Sequence, residues 1–329
     1  MGTKNKNNSS ILRLEGVKKY FPIHRGFFQK TVGWVKAVDG VSFEIQKGKT
    51  MGLVGESGCG KTTVARLILK LLESDEGKII FQDRDISRFS EREMKPLRKE
   101  IQIIFQDPFG SLNPRMTIGQ CIEEGIRISG IKHASRRKER LESLLSMVGM
   151  SYDSADRYPH EFSGGQRQRI GIARALSVEP SLIVCDEPVS ALDVSIQAQI
   201  INLLKDLQDQ LGLSYLFISH DLNIVGYLCD TIYVMYNGSI MELASSEDIF
   251  NHPCHPYTIS LLSAVPNPDK HWDLKLSHEQ HHEPDAVDQG CKHQKKCPRV
   301  ETRCRSNTID FAKVGENHFV RCWKTDKNK

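Results

Sequence analysis

Apolar positions recur along this chain with two spacings, one typical of strands and one typical of helices. Short apolar or alternating runs predict strands at 11–17, 38–45, 78–82, 101–105, 181–185, 214–218, 231–236 and 239–243. Apolar residues at helical spacing follow residue 61 and recur over 195–211. Because strands alternate with helices, we expect an α/β fold whose mostly parallel sheet is covered on both faces. The dipeptide Asn237-Gly238 predicts a hairpin between the last two strands.

Other stretches of the chain depart from this alternation. Residues 117–177 show no strand pattern and predict a helical subdomain inserted into an α/β domain that spans 11–264. Residues 265–290 are rich in prolines, acids and histidines and predict an exposed linker, and 291–323 form a small cysteine-bearing extension. Near the start, the first strand is expected to lie at a sheet edge and to close at 18–22, and 27–34 is expected to be a surface loop.

The sharpest local signal is a glycine-rich loop between a buried strand and a helix. Gly55–Thr62 fits G-x-x-x-x-G-K-[ST]. Glycines let backbone N–H groups turn inward onto phosphate oxygens, and the helix that follows adds its positive N-terminal end. Lys61 can reach the β- and γ-phosphates, and the Thr62 hydroxyl can hold Mg²⁺. The residues expected to bind ATP here are Gly55, Glu56, Ser57, Gly58, Cys59, Gly60, Lys61, Thr62 and Thr63.

Two further stretches supply the chemistry that a phosphate loop lacks. Asp186 and Glu187 follow four apolar residues, at the carboxyl end of a predicted buried strand, where sites form in open α/β sheets. Asp186 is expected to bind the nucleotide's Mg²⁺ and Glu187 to polarise the attacking water. The alternative is a pair of helix-capping acids. Upstream, Ser163 can cap a helix whose first residues leave its N-terminus open to a ligand, namely Gly164, Gly165 and Gln166.

Composition narrows the class of protein. The chain has 329 residues and a net charge of +4, with the charges scattered, which argues weakly against nucleic-acid binding. No apolar run is long enough to span a bilayer, and the polar stretch 1–10 does not have the pattern of a signal peptide, so we expect the chain to be cytoplasmic unless a partner holds it at a membrane.

Together these motifs resemble the ATP-binding-cassette (ABC) ATPases. The likeness covers about 12–262 and extends to Gln106, which is similar to the family's Q-loop, Ser190–Asp193, similar to its D-loop, and His220, similar to its switch histidine. It implies the P-loop ABC-type fold, a mostly parallel sheet with an antiparallel β-subdomain and an inserted helical subdomain. It also implies roles for single residues. Tyr20 would stack on adenine, the alternative being a core tyrosine. Thr62, Gln106 and Asp186 would hold Mg²⁺, and Lys61, Gln106, Glu187 and His220 would be catalytic.

In the family two cassettes meet head to tail, so Ser163–Gln166 and the D-loop Asp193 would act on nucleotide held by the other cassette. The stretches 107–116, 187–199 and 252–258 are similar to the ATPase subunits of bacterial oligopeptide and dipeptide importers. That implies two transmembrane permeases, a second ABC ATPase, an extracytoplasmic peptide-binding protein, and a place on the cytoplasmic face of the membrane. A nickel importer of the same subfamily stays open. A soluble cassette protein that acts on nucleic acid or ribosomes is disfavoured, because the chain has one cassette and no coiled-coil insertion.

The extension carries four of the nine cysteines, Cys291, Cys297, Cys304 and Cys322. A segment this short cannot build its own core, so metal binding is the expected way to hold it. The spacing lacks paired C-x₂-C and is poor for a zinc ribbon. Four thiolates can hold a [4Fe–4S] cluster, and the extension is similar to that of the importer subfamily, some of whose members carry one. A cluster, zinc and no metal all stay open.

Overall fold

The computed structural model describes residues 10–26, 30–107, 110, 112–264, 289–306 and 308–324. In chain order its strands β1 to β12 are Ser10–Arg25, Lys30–Gln46, Thr50–Val54, Glu76–Phe81, Arg84–Asp85, Ile101–Ile104, Leu182–Asp186, Ser214–Ser219, Thr231–Tyr236, Ser239–Ser245, Ala312–Lys313 and Phe319–Val320. Its helices α1 to α10 are Lys61–Ile68, Glu91–Leu97, Ile118–Ser129, Ala134–Met147, Gly164–Leu176, Val194–Leu211, Leu222–Leu228, Ser246–Asn251, Pro256–Ser263 and Arg303–Ser306. The described residues divide into two units: those within 1–11, 45–50 and 88–218 form one, and those within 12–44, 51–87 and 219–329 form the other.

The first unit combines a parallel β-ladder with the helical segment. Strands β6, β7 and β8 pair in parallel, and every residue of β7 is buried. From 118 to 176 the described residues form α3, α4, α5 and two short 3₁₀ turns. Helix α3 begins at a capping box made by Thr117 and Gln120 and ends at Gly130 in the left-handed region. One face of α4 is apolar and is buried at Leu141, Leu144 and Leu145.

The second unit holds two sheets. Strand β3 pairs in parallel with β9, and β9 pairs with β10 as the predicted hairpin, with Asn237 and Gly238 both at positive φ. Strand β12 adds to β10, and β11 to β12, so the C-terminal extension contributes strands to this sheet. A second sheet has the order β2-β1-β4-β5, with β1 antiparallel to β4. The α/β fold class predicted from the sequence is confirmed.

The predictions for the first strand and the loop after it were wrong. Strand β1 continues to Arg25 and lies between β2 and β4, and β2 already begins at Lys30. The register with β4 ends at the Lys18–Glu76 pair, so Pro22, which has no N–H, lies beyond it. Residues 22–25 and most of 30–35 are exposed, so no apolar alternation marks them as strand. Residues 27–29 and 265–288, the latter nearly all of the predicted linker, lie outside the described residues.

Candidate nucleotide-binding site

The glycine loop in the second unit is packed so closely that two of its glycines have no room for a side chain. A Cβ on Gly55 would lie 2.1 Å from the Met235 carbonyl oxygen, and a Cβ on Gly60 would lie 2.1 Å from that of Ala37. Both have positive φ, 154° and 111°. The Gly238 N–H of the hairpin turn donates to the Cys59 carbonyl at 2.9 Å. The loop is therefore held against β9 and the hairpin by backbone contacts.

Lys61 is the first residue of α1 and lies inside the loop. Its side chain is buried, with 5% of the residue exposed, and Nζ donates to the carbonyl oxygens of Gly55 (2.8 Å) and Glu56 (2.9 Å). Burial raises the pKa of the neighbouring Cys59 thiol, although Lys61 opposes the shift. Glu56, Ser57, Gly58 and Thr62 are exposed, so the rim of the loop is open to a ligand. This arrangement fits an anion such as a triphosphate, because it combines a buried ammonium with a helix N-terminus.

Tyr257, at the start of α9, also contacts the loop. The Glu56 N–H donates to the Tyr257 hydroxyl oxygen at 2.8 Å, and this tyrosine is 1% exposed. In the sequence, the stretch 252–258 indicates only the subfamily and gives no sign of this contact. A tyrosine some two hundred positions away carries no local signal for it.

Tyr20, the expected adenine-stacking residue, is half-buried on β1. Its hydroxyl donates to Asp39 Oδ1 at 2.6 Å and its N–H donates to Asp75 Oδ2 at 2.6 Å. Burial and the hydrogen bond to Asp39 raise the pKa of Tyr20, so its hydroxyl stays protonated. Hydrogen bonds at the Tyr20 backbone N–H and at its hydroxyl therefore hold the ring in place.

In the first unit the structure brings Gln106 and Glu187 together. Gln106 Nε2 donates to Glu187 Oε2 at 3.1 Å. Asp186 ends β7 and is buried, with 9% exposed. Glu187 follows at φ 49°, a strained position for a residue with a side chain. Its N–H donates to the Ile218 carbonyl at 3.0 Å and its carbonyl accepts the Ser190 hydroxyl at 3.1 Å, so the backbone that aims this carboxylate is fixed on both sides.

The segment that resembles the D-loop is supported by Gln197. Its Nε2 donates to the carbonyl oxygens of Val189 (3.0 Å) and Leu192 (2.9 Å). Asp193 is exposed at the N-cap position of α6. Gln197 was not predicted as a site residue, although it lies one helical turn into α6, where its amide reaches back to the loop.

Ser163 caps α5 as predicted. Its hydroxyl oxygen accepts the Gln166 N–H at 3.3 Å, and Gln166 Oε1 accepts the Ser163 N–H at 3.0 Å. A Cβ on Gly165 would clash with Ile196 Cγ2, so any side chain there would require Ile196 to move. Ser163 is exposed, and its hydroxyl hydrogen can still donate because the oxygen is the acceptor in the cap.

His220 follows β8 and is exposed. The next residue, Asp221, caps α7, since Oδ1 accepts the Asn223 N–H at 2.9 Å. The Asp221 N–H in turn donates to Ser219 Oγ at 3.0 Å. The backbone on the C-terminal side of His220 is therefore held by two side chains.

The C-terminal extension is docked through a buried ion pair. His318 Nε2 lies 2.6 Å from Glu242 Oε1, and the other oxygen of Glu242 accepts the His255 N–H at 2.8 Å. The side chains of Glu242 and His318 are 0% and 5% exposed. Burial lowers the pKa of His318, but hydrogen bonds to Cys254 and Glu242 outweigh this and raise the pKa to about 10. At neutral pH the pair is therefore a charged link between β10 and the extension.

This pair predicts that docking weakens in alkali. Because the pKa of His318 is raised on folding, its stabilising contribution is full below about pH 6.5, the ordinary value, and is lost as pH rises towards about 10. We expect limited proteolysis of the extension to accelerate over that range. In His318→Gln this pH-dependent part should disappear, whereas His252→Gln, at an exposed histidine, should behave like wild type. Equal pH profiles for wild type and His318→Gln would contradict the prediction.

The four cysteines of the extension are all free thiols and half-buried. Burial, and after it the neighbouring Cys297, Cys322 and Cys304, raise the pKa of Cys291 to about 11. The Cys291 N–H donates to the Cys304 carbonyl at 2.8 Å. Among the described residues, the metal-type side chains whose ligand atoms lie within 4.8 Å of one another are Glu242, Cys254 and His318, and none of the four cysteines belongs to that group.

Comparison with known proteins places the chain among ABC cassettes. Residues 38–190 match the family described as ABC transporter, and residues 241–304 match the family described as oligopeptide/dipeptide transporter, C-terminal region. The chain is 49% identical to the oligopeptide transport ATP-binding protein AppF of Bacillus subtilis, over 96% of this chain and 98% of that protein. It is 44% identical to the dipeptide transport ATP-binding protein DppF of Haemophilus influenzae, over 98% of both.

A solved structure of an ATP-binding cassette is similar to this chain. The dimeric structure of a post-hydrolysis state of the ATP-binding cassette MJ0796, bound to ADP and Pi, superposes with a TM-score of 0.64 at 26% identity and covers 71% of this chain and 98% of that one. Within the described ranges, every helix of this protein is too short or too polar to span a bilayer.

Proposed function

Because the chain belongs to the ATP-binding subunits of ABC-type oligopeptide and dipeptide transporters, we propose that it binds and hydrolyses MgATP to energise peptide import. The observation that carries the proposal is the glycine loop, where two glycines have no room for a Cβ and the Lys61 ammonium is buried among loop carbonyls. A smaller turn without a cation would serve packing equally well. The positive charge of this loop is complementary to the negative charge of a triphosphate.

Each residue of the site has a proposed role. The loop N–H groups and Lys61 hold the phosphates, and the Tyr20 ring stacks on adenine. Thr62, Gln106 and Asp186 offer the oxygen ligands that Mg²⁺ prefers, and the ion would neutralise phosphate charge. Glu187 takes the proton of the attacking water, which requires an ionised carboxylate with a fixed direction. The Gln106 hydrogen bond supplies that direction, and His220 donates to the γ-phosphate.

The second half of the site comes from another cassette. Ser163, Gly164, Gly165 and Gln166 are proposed to meet the γ-phosphate held by a partner cassette, which is either a second copy or a sister ATPase. The Ser163 hydroxyl hydrogen and the open N-terminus of α5 are suited to bind an anion. Asp193 lies on the loop that Gln197 holds and would contact the partner cassette. ATP bound between two such surfaces stabilises the dimer, and hydrolysis removes that link.

The cassette reaches its substrate only through partners. We propose that two transmembrane permeases bind it at the cytoplasmic face of the membrane and that an extracytoplasmic binding protein delivers the peptide. The test is to isolate the complex through a tag on this chain and measure its ATPase in proteoliposomes. Binding protein loaded with peptide should stimulate turnover. Stimulation by nickel alone, or copurification with ribosomes in place of permeases, would overturn the peptide assignment.

We also propose that the four cysteines of the extension hold a [4Fe–4S] cluster. Four thiolates around one Zn²⁺ stand about 3.8 Å apart, given Zn–S bonds of about 2.3 Å, and the cysteines do not gather that closely. A cluster spaces its ligands more widely and would hold the extension together. Cluster ligation also needs thiolates, and a metal compensates for the raised pKa of Cys291.

Protein purified without air should contain about four iron atoms per chain and absorb in the visible region. Cys297→Ala should lose most of the iron, whereas Cys254→Ser, at a cysteine outside the four, should retain it. If wild type contained no more iron than the Cys297→Ala protein, or contained stoichiometric zinc, the cluster would be excluded.

A further inference from the structure

Lys292, directly after Cys291 in the extension, is connected to the residue expected to face adenine. Its Nζ lies 2.8 Å from Asp39 Oδ2, and the two side chains are only 15% and 20% exposed. The other carboxylate oxygen accepts the Tyr20 hydroxyl at 2.6 Å. Burial would raise the pKa of Asp39, but the hydrogen bonds from Lys292 and Tyr20 lower it below its ordinary value. Asp39 is thus a charged bridge whose two oxygens hold the extension and Tyr20.

The next residue, His293, is connected to the phosphate loop by a different path. Its buried ring meets Tyr236 edge-on, with ring centroids 5.1 Å apart, and packs against Tyr257 at 5.4 Å. The rings of Tyr236 and Tyr257 are themselves 4.6 Å apart. Since the Tyr257 hydroxyl accepts the Glu56 N–H, the position of the Tyr257 ring determines where this N–H of the loop finds its hydrogen-bond acceptor.

We propose that Lys292 and His293 are positioning residues for ATP, Lys292 through Asp39 and Tyr20 and His293 through Tyr257 and Glu56. The inference rests on the proposed function, in which the adenine base lies against Tyr20 and the phosphates lie in the glycine loop. Two adjacent residues of the extension thus reach the two ends of one nucleotide. The extension completes the binding site and does more than cover the cassette.

Removing either link has a definite physical consequence. Without Lys292, the Asp39 carboxylate loses its counter-ion in a partly buried site, so it turns towards water and no longer fixes the Tyr20 hydroxyl. Without the His293 ring, a cavity opens beside Tyr257, and the ring can rotate away from the Glu56 N–H. The first change affects recognition of the base, and the second affects the phosphates.

The test compares two ligands on the full-length protein: MgATP, and magnesium tripolyphosphate, which has no base. Lys292→Ala should weaken MgATP binding about fivefold and leave tripolyphosphate binding unchanged, whereas His293→Ala should weaken both about fivefold. His293→Phe keeps a ring of similar size and should restore binding. Lys296→Ala, at an exposed lysine of the same extension, should match wild type with both ligands.

A double-mutant cycle checks the path through Asp39. Tyr20→Phe keeps the ring but loses the hydroxyl, so adding Lys292→Ala to it should weaken MgATP binding less than about twofold further. Thermal unfolding of each variant shows whether the fold is intact. Unchanged MgATP affinity in both single variants, equal loss for both ligands in Lys292→Ala, or full additivity in the cycle would overturn the inference. Failure of wild type to bind MgATP would instead overturn the proposed function.

Discussion

Glu187→Gln is expected to lower ATP turnover by about 10²- to 10⁴-fold while leaving MgATP binding intact, the range that a positioned general base contributes. Glutamine has the same shape but cannot take a proton from water. Its side chain also pairs with the Gln106 amide through the remaining oxygen, so the geometry is retained. Glutamine occupies the same φ of 49°, so the backbone strain is the same in both proteins and the folding stability should not change.

The consequence for assembly is an accumulated nucleotide-bound dimer. Since ATP stabilises the paired cassettes, a variant that binds but does not hydrolyse it should remain paired when MgATP is present. The measurements are phosphate release in the presence of the partner subunits and the mass of the complex with and without MgATP. Glu142→Gln, at an exposed glutamate of α4, is the matched control and should turn over like wild type. Turnover near the wild-type rate in Glu187→Gln would show that another group activates the water.

The elements around this site could be predicted because their sequence signals are local. The run 182–185 is apolar throughout, as a strand buried on both faces must be, and the acids follow where it ends. Ser163 and the dipeptide Asn237-Gly238 act through their own neighbours in sequence, and the structure has the predicted cap and the predicted turn. The functional assignment rested on short motifs that are local in the same sense, and it is confirmed at the level of the family.

The features that sequence reasoning missed depend on contacts between distant residues. Tyr257 reaches Glu56, and His318 reaches Glu242, across separations that no local pattern reports. The outer part of β1 and β2 escaped prediction for another reason. Both faces of that ribbon are largely exposed there, so apolar alternation, the signal used, is absent although the backbone is extended. Gln197 was missed because a glutamine on a helix ordinarily faces solvent, and only the structure shows the carbonyls it binds.

Lys61→Ala is expected to weaken MgATP binding by about 30-fold to a few thousandfold, since truncating one member of a buried charge pair costs about 2–5 kcal/mol and each 1.4 kcal/mol is a factor of ten. In the structure Nζ already lies within the loop, bound to the carbonyl oxygens of Gly55 and Glu56. Little reorganisation is needed before it meets a phosphate. The fold should survive the change, because the loop is held by Gly55, Gly60 and Tyr257 independently of the ammonium.

Titration of the purified chain with MgATP measures the loss, and thermal unfolding without nucleotide separates it from instability. Lys78→Ala, at an exposed lysine of β4 in the same unit, should bind like wild type. Lys61→Ala should lose affinity for tripolyphosphate in the same proportion as for MgATP, because Lys61 acts on the phosphates and not on the base. Undiminished binding in Lys61→Ala would mean that backbone N–H groups alone neutralise the phosphates. The buried ammonium would then be a structural cation of the loop.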